Sequence, residues 1–380
     1  MLLATLEALV PQYRPLPTTV DADTVVALSR FAVLRRRPET GRLVVESPLA
    51  HARVVLDTPA AARLVVGLTA DGSLRQLAAD CHADPAAAVA VAGLLVRAGM
   101  ADAADADGTL AEDADPALRQ WDFHDLLFHS RSRLGRHDDP VGGRFRFLGE
   151  IEPQPAVKRA KWPTTIALPR PDLAAVARRD PPLSAVMEAR RSIRPQHAYP
   201  IGLARLGEFL HRTGRVRTRY RVDDKGEFTS RPYPSGGASY ELEIYAAVAD
   251  GAGVPAGLYW YDPVGHGLCR VRDPDAGVEA LLEHARLSGL ARPQILFVLA
   301  ARFARVSWKY DAIAYATILK NTGVVYATMY LVATAMGLAP CALGLGDADL
   351  FARVAGTSYV EEGSVGEFML CGAATPPAGA

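Results

Sequence analysis

Between Asn321 and Gly346 no residue carries a charge, and this one run constrains the fold more than any other feature of the sequence. It is long enough to span a bilayer. Pro340 and the glycines Gly337, Gly344 and Gly346 break it, and Tyr326, Thr328, Tyr330 and Thr334 interrupt its apolar character. Thr322 to Met336 therefore reads as a helix apolar on nearly every side, buried in a core or an interface rather than in a membrane. Such a helix has no face for water, so other elements must wrap it.

The chain has the means to do so. Its 380 residues predict two or three domains, and 49% apolar with 22% charged residues is ordinary globular composition. The 42 basic and 42 acidic side chains cancel, which leaves no global field to draw the protein onto nucleic acid or an acidic membrane. Cys81, Cys269, Cys341 and Cys371 stand far apart with no C-x-x-C pair, which argues against a disulfide framework, a zinc ribbon or a dithiol redox motif. A reducing cytoplasm is the natural expectation. The first residues lack the basic start and unbroken apolar stretch of a signal peptide.

Character changes along the chain near residues 100 and 165. Strands are expected around Phe31–Leu34 and Leu43–Glu46, joined by the turn RRRPETG, and helices over Pro59–Leu68, Leu74–Ala79 and Pro85–Gly99. Small helices beside a hairpin suggest a winged-helix-like module over residues 1–105. Arg35, Arg36 and Arg37 sit on its turn, but no helix in it is rich enough in Arg, Lys or Asn to read DNA. The acidic, small-residue stretch from Ala101 has linker composition. Residues 106–165 then form a linker and docking segment in which Trp121, Phe123, Leu126, Leu127 and Phe128 seat a short helix. His124, His129 and His137 do not share a helical spacing suited to a metal, so a structural or substrate-contacting role is expected and no metal site. Over residues 166–380 helices and strands alternate: helices Asp172–Arg191, Leu203–Thr213 and Gly277–Gly289, and strands Glu241–Val248, Gly257–Asp262, Gln294–Ala301 and Glu367–Cys371. The class is α+β, with no internal repeat.

Four clusters in this part could carry chemistry. Arg190, Arg191, Ser192 and Arg194 at a helix end suit a phosphate and a polar ring edge, or simply complement the helix dipole. Pro234, Ser235, Gly236 and Gly237 form a turn whose backbone can approach a planar ligand, or merely lead into a strand. Lys309 beside Tyr310 offers an amine whose affinity for a proton burial would lower, next to a phenol. Leu338 to Gly346 is a further backbone-rich loop. No G-x-G-x-x-G, G-x-S-x-G or H-E-x-x-H occurs, so dinucleotide-binding Rossmann, α/β-hydrolase and zincin readings lack support.

In this order and spacing the clusters resemble the nitroreductase-like FMN oxidoreductases, and specifically the SagB/ThcOx-type dehydrogenases of azole-containing peptide biosynthesis. The resemblance runs over WDFHDLLFHSRSRLGRHDDPVGG, RRSIRPQ, RPYPSGGASYELEIY, GLYWYDPVGHGL, VSWKYDAIAYATILKNTGVVY, YLVATAMGLAPCALG and EEGSVGEFML, from Trp121 to Leu370. It implies a central mixed or antiparallel sheet flanked by helices and binding FMN, preceded by a winged-helix-like peptide-recognition module. It implies Arg190 and Ser192 at the FMN phosphate and ribityl chain, Arg194 at the pyrimidine edge, and Pro234, Ser235, Gly236 and Gly237 along the ring. Ala342, Leu343 and Gly344 would place backbone N–H groups near its N5 side. Lys309 and Tyr310 would form the catalytic base assembly.

The resemblance further implies oxidation of a thiazoline or oxazoline in a peptide to the azole, with dioxygen reoxidising the flavin, a homodimer with FMN in its interface, and a cyclodehydratase partner. Two other functions fit less well: an NAD(P)H-dependent nitro, quinone or ene reductase of the same fold, and a non-catalytic leader-peptide scaffold. Two departures stand out. After Phe368 the sequence MLCGAATPPAGA offers no cation for the phosphate, so Arg191, Arg302, Arg305 or the other subunit must supply one. Leu345 stands where relatives often have a third glycine.

Overall fold

The computed structural model describes all residues except 1, 69–71, 106, 195–199, 250–252, 290–291 and 373–380. The chain divides into two compact units, Met1–Pro140 and Val141–Ala380. The stretch 106–165 is therefore shared between them, and most of the tail after Phe368 lies outside the described residues.

The first unit contains β1 (Ala4–Ala8), β2 (Val26–Leu28), β3 (Val33–Arg36), β4 (Leu43–Glu46), β5 (Ala52–Leu56), α1 (Pro59–Gly67), α2 (Leu74–Asp80), α3 (Pro85–Ala98), β6 (Ala101–Ala103), α4 (Ala111–Ala114) and α5 (Phe123–Arg131). Helices α1, α2 and α3 begin at side-chain caps: Thr58 accepts from Ala61 N, Ser73 from Gln76 N and Asp84 from Ala86 N. Gly99 in the left-handed region ends α3. The expected hairpin is β3–β4, but it is half of a four-stranded antiparallel sheet in the order β1-β5-β4-β3. The turn arginines are largely neutralised, Arg35 by Glu46 at 2.6 Å and Arg37 by Glu7 at 3.5 Å.

The second unit contains β7 (Thr164–Ala167), α6 (Leu173–Arg179), α7 (Leu183–Ala189), α8 (Leu203–Gly214), β8 (Thr218–Arg221), β9 (Glu227–Ser230), β10 (Leu242–Val248), β11 (Gly257–Asp262), β12 (Gly267–Arg272), α9 (Ala276–Gly289), β13 (Ile295–Arg302), α10 (Ala304–Ser307), α11 (Ala314–Ala335), β14 (Ala339–Leu343), α12 (Ala348–Ala355) and β15 (Glu362–Cys371). The single helix expected over 172–191 is two, because Pro181 and Pro182 cannot continue the hydrogen-bond ladder of α6.

Seven strands pair antiparallel in the order β14-β15-β13-β10-β11-β12-β7. Successive side chains of a strand face opposite sides, and here both sides are apolar. Ile244, Ala246, Tyr259, Phe297 and Phe368 pack with α8 and α11 on one face. Tyr245, Ala247, Trp260, Val298 and Met369 pack with α9 and α12 on the other. Among the described residues no helix is long and apolar enough to cross a membrane.

On the α8 side His211 and His266 meet edge to face, ring centroids 5.0 Å apart. His266 lies 2.9 Å from the Tyr261 hydroxyl and 3.2 Å from the Pro169 carbonyl. Burial, helped by Arg215, His266 and Arg170, pushes His211 down to about 4. A depressed histidine binds fewer protons folded than unfolded, so its full contribution to stability is present above about 6.5 and is lost as pH falls toward 4. Discounted for partial solvent access, the loss is on the order of 1–2 kcal/mol. The melting temperature of His211→Gln should therefore depend less steeply on pH between 7 and 4 than that of the parent protein; parallel curves would refute this.

Candidate functional site

Helix α11 is the spine on which the four clusters converge. At its N-terminal half Asn321 is buried, and its amide faces the turn before β10. Its Oδ1 accepts from Gly236 N at 2.9 Å, and its Nδ2 donates to Ser235 Oγ at 3.0 Å and to Glu241 Oε1 at 2.9 Å. Ser235 Oγ also accepts from Tyr240 N at 3.0 Å. Burial raises the Glu241 carboxyl against the lowering effect of these hydrogen bonds and of Arg231. Only glycine fits at 236, where a Cβ would lie 2.5 Å from Thr317 Cγ2 on the same helix. Gly237 has φ +61°, and a Cβ there would overlap the Tyr310 hydroxyl and Lys309 Nζ. Pro234 is exposed beside it.

Lys309 closes this half. It follows α10, whose C-terminal cap is the buried Trp308, and Trp308 Nε1 donates to Ile151 O at 2.7 Å. Lys309 Nζ donates to Gly237 O at 2.9 Å and lies about equally far from three rings: 5.5 Å from Phe145, 5.5 Å from Phe228 and 5.4 Å from Tyr310. Burial, then the charges of Arg305 and Lys225, hold its affinity for a proton below that of a free lysine. Burial raises Tyr310, keeping the phenol protonated. The structure thus brings Lys309, Tyr310 and the Pro234–Gly237 turn together.

The other half is built at the far end of α11. Arg190 caps α7 and places its guanidinium 5.5 Å from the Tyr330 ring centroid. Ser192 Oγ lies 2.7 Å from Tyr330 Oη, which accepts from Ala342 N at 2.8 Å, and Ile193 N donates to Pro340 O at 2.8 Å. Tyr330 receives one hydrogen bond from Ala342 and can donate its own hydroxyl to Ser192, whose hydroxyl in turn hydrogen-bonds the Cys341 thiol. Arg190, Arg191 and Arg194 are exposed around it. The expected loop at 342–344 is different: Ala342 and Leu343 end edge strand β14, and the Ala342 N–H is already donated to Tyr330.

Between Tyr326 and Thr322 on α11 and Leu343, Gly344, Gly346 and Glu367 lies a groove of about 400 Å³. Gly323, Gly344, Gly346 and Gly366 line it beside those side chains, so part of its wall is bare backbone. Burial raises the Glu367 carboxyl at its floor.

Asn321 and Tyr330 are nine positions apart, two and a half helical turns, and so lie on opposite sides of α11. One chain therefore carries the Arg–Ser half and the Lys–Tyr half on opposite faces of one helix. Tyr315, Leu319, Gly323 and Ala327 form an exposed stripe, so α11 is not dry on all sides within a single chain as its sequence suggests. Two of the cations considered for the phosphate are committed elsewhere. Arg302 donates to Pro155 O and Ala156 O and pairs with Glu243, and Arg305 donates to Ser239 O, Gln154 O and Glu227 O. Asn321, Tyr330 and Glu367 escaped the sequence reading as site residues. The signal for the first two was available as polar side chains inside an otherwise apolar, uncharged helix.

Residues 187–372 match the nitroreductase family model, and residues 26–138 match that of the cyanobactin oxidase ThcOx. MJ1384 of Methanocaldococcus jannaschii, a nitroreductase by name, is 32% identical over 162 residues, covering 43% of this chain and 78% of its own. The trifolitoxin-processing protein TfxB of Rhizobium leguminosarum bv. trifolii is 30% identical over 118 residues, 30% of this chain and 32% of that protein. Among solved structures, a Ralstonia eutropha protein named as a nitroreductase aligns with TM-score 0.44 at 21% identity, covering 59% of this chain and 96% of its own. A chain of the E. coli microcin synthetase McbBCD complex with truncated pro-MccB17 bound aligns with TM-score 0.40 at 19% identity, covering 64% and 85%. The chain belongs to the nitroreductase family. With the ThcOx match in its first unit, it is a nitroreductase-like protein of the SagB/ThcOx type.

Proposed function

We propose that this protein oxidises thiazoline or oxazoline rings in a peptide to thiazoles or oxazoles, with FMN as its cofactor and dioxygen as terminal oxidant. The observation that supports it most is Lys309, a half-buried amine held by Gly237 O among three aromatic rings and weakened as an acid–base partner of water by burial, Arg305 and Lys225. FMN, when bound, supplies a hydride acceptor. Its phosphate and ribityl chain fit Arg190, Arg191 and Ser192, and its ring edge fits Arg194. The ring fits the glycine-walled groove and the Pro234–Gly237 turn.

The chain's own work is to hold and deprotonate the substrate. Lys309, neutral, takes the ring C–H proton, and the bonding pair left behind completes the aromatic azole as hydride departs. Tyr310, kept protonated by burial, orients the ring or relays the proton. Since the Arg–Ser and Lys–Tyr halves face opposite sides of α11, a complete site needs the first half from one chain and the second from its partner. A homodimer packed across the Tyr315–Ala327 stripe supplies both, and the cation missing from the phosphate site is sought there. Reduction of nitro or quinone substrates would require no base, so the guarded Lys309 favours the oxidase.

The test is direct. Heat-released FMN at one per chain and loss of two hydrogens from an azoline peptide support the proposal; bleaching by NADPH with no azole formed overturns it. The rate should also fall as pH is lowered, because Lys309 must be neutral. Lys225 disfavours the ammonium, so Lys225→Gln raises the apparent pKa and moves the acid limb of kcat/KM to higher pH. An unmoved limb would remove Lys309 from the titration.

A further inference from the structure

Near Lys309 the second unit has a groove of about 850 Å³. One wall is the segment Glu152 to Arg159 and the other is the hairpin β8–β9. Pro153 and Gln154 also line a narrower cleft that includes Phe145, Phe228, Arg305 and Lys309, so the two openings share a wall. Tyr220 at the groove is exposed and stacks on Phe228 with centroids 5.9 Å apart, and the Phe228 ring lies 5.5 Å from Lys309 Nζ. A pair of stacked rings thus links the groove to the amine.

The charges of the groove are unequal in kind. Arg219 is neutralised by Glu227 at 2.6 Å, Lys158 by Glu362 at 2.7 Å and Arg302 by Glu243 at 2.8 Å. Arg159 and Arg221 are exposed and form no ion pair among the described residues. Glu152 is the acid set against them. Gln154 Oε1 is buried with no hydrogen-bond donor among the described residues, which is costly unless a ligand supplies one. Among the described residues strand β8 pairs only with β9, so its other edge offers unpaired main-chain groups.

We propose that this groove seats an extended, acidic segment of the peptide substrate and delivers the adjoining ring to Lys309. An extended chain supplies N–H donors for Gln154 and for the β8 edge, and its carboxylates meet the two free guanidiniums. The balanced charge of the whole protein gives no long-range preference for acidic chains, so any such preference must arise locally. The proposal deepens the azoline-oxidase reading and rests on it only for what is delivered.

The experiment uses the full-length, FMN-loaded protein and two fluorescein-labelled peptides with a central threonine, one flanked by alternating Glu and Gly, the other by Lys and Gly. Anisotropy should show the Glu peptide binding more tightly, with affinity falling as salt rises. In Arg159→Glu/Arg221→Glu the Glu peptide should weaken at least about tenfold while the Lys peptide gains; that gain also shows that the variant is folded. Equal binding of the two peptides, an unaffected double variant, or a single-stranded RNA binding as tightly as the Glu peptide would each overturn the proposal. Wild-type turnover of a small free thiazoline tests the oxidase reading separately. If peptide binding follows the arginines but no thiazoline is oxidised, the groove stands and the reading falls.

Discussion

Replacing Lys309 with methionine is expected to lower azoline oxidation by about 10²- to 10⁴-fold, the range contributed by a positioned general base, while FMN stays bound. Methionine keeps the length and apolar stem that pack among Phe145, Phe228 and Tyr310, and loses the amine that donates to Gly237 O. The substitution therefore separates proton transfer from packing. The Pro234–Gly237 turn should persist, since Asn321 and Glu241 hold it independently of Lys309. The measurements are azole formation by mass and the visible flavin spectrum of the same preparation. A flavin-bearing variant with the parent rate would show that the base lies elsewhere.

The second large effect concerns the cofactor. Arg190→Ala/Arg194→Ala is expected to weaken FMN binding by about 10²- to 10⁴-fold, since each charge-assisted hydrogen bond contributes about 1.5–3 kcal/mol and 1.4 kcal/mol is tenfold. Both side chains are exposed in the chain, so their loss removes no core packing and thermal stability without cofactor should hardly change. Fluorescence quenching of added FMN gives the affinity, and a melting curve of the apoprotein gives the control. Undiminished affinity would refute the assignment of this helix end to the flavin. A fall in affinity accompanied by a large drop in apoprotein stability would instead mark the arginines as structural.

Much of the fold was legible because its signals are local. Thr58, Ser73 and Asp84 announce helix starts, and Gly99 ends α3. The strands β10 and β13, apolar but for the paired Glu243 and Arg302, are fully buried, as sequence runs of that kind require. The misreadings were local too. The helix expected through 172–191 ignored Pro181 and Pro182, and the loop expected at 342–344 ignored that β14 could pair with β15 at the sheet edge. The strands β1 and β5 of the first unit went unread because each becomes a strand only through pairing across the sheet, β1 with β5 and β5 with β4 as well.

By itself the sequence determined which chemistries were available: a helix-end Arg-x-Ser-x-Arg, a Pro-Ser-Gly-Gly turn, a Lys–Tyr pair and a helix without charge. Residue types and near-neighbour spacing carry that information. Only the tertiary structure decided how they are used, because the deciding contacts join residues far apart in the chain. Ser192 meets Tyr330 across 138 positions, Gly236 meets Asn321 across 85, and Lys309 meets Gly237 across 72. Those contacts spend the N–H groups of Gly236 and Ala342 inside the protein, commit Arg302 and Arg305 to backbone carbonyls, and set two half-sites on opposite faces of α11. No local pattern encodes this division, since it follows from the helical pitch of α11 together with the strands and turns packed on each of its sides.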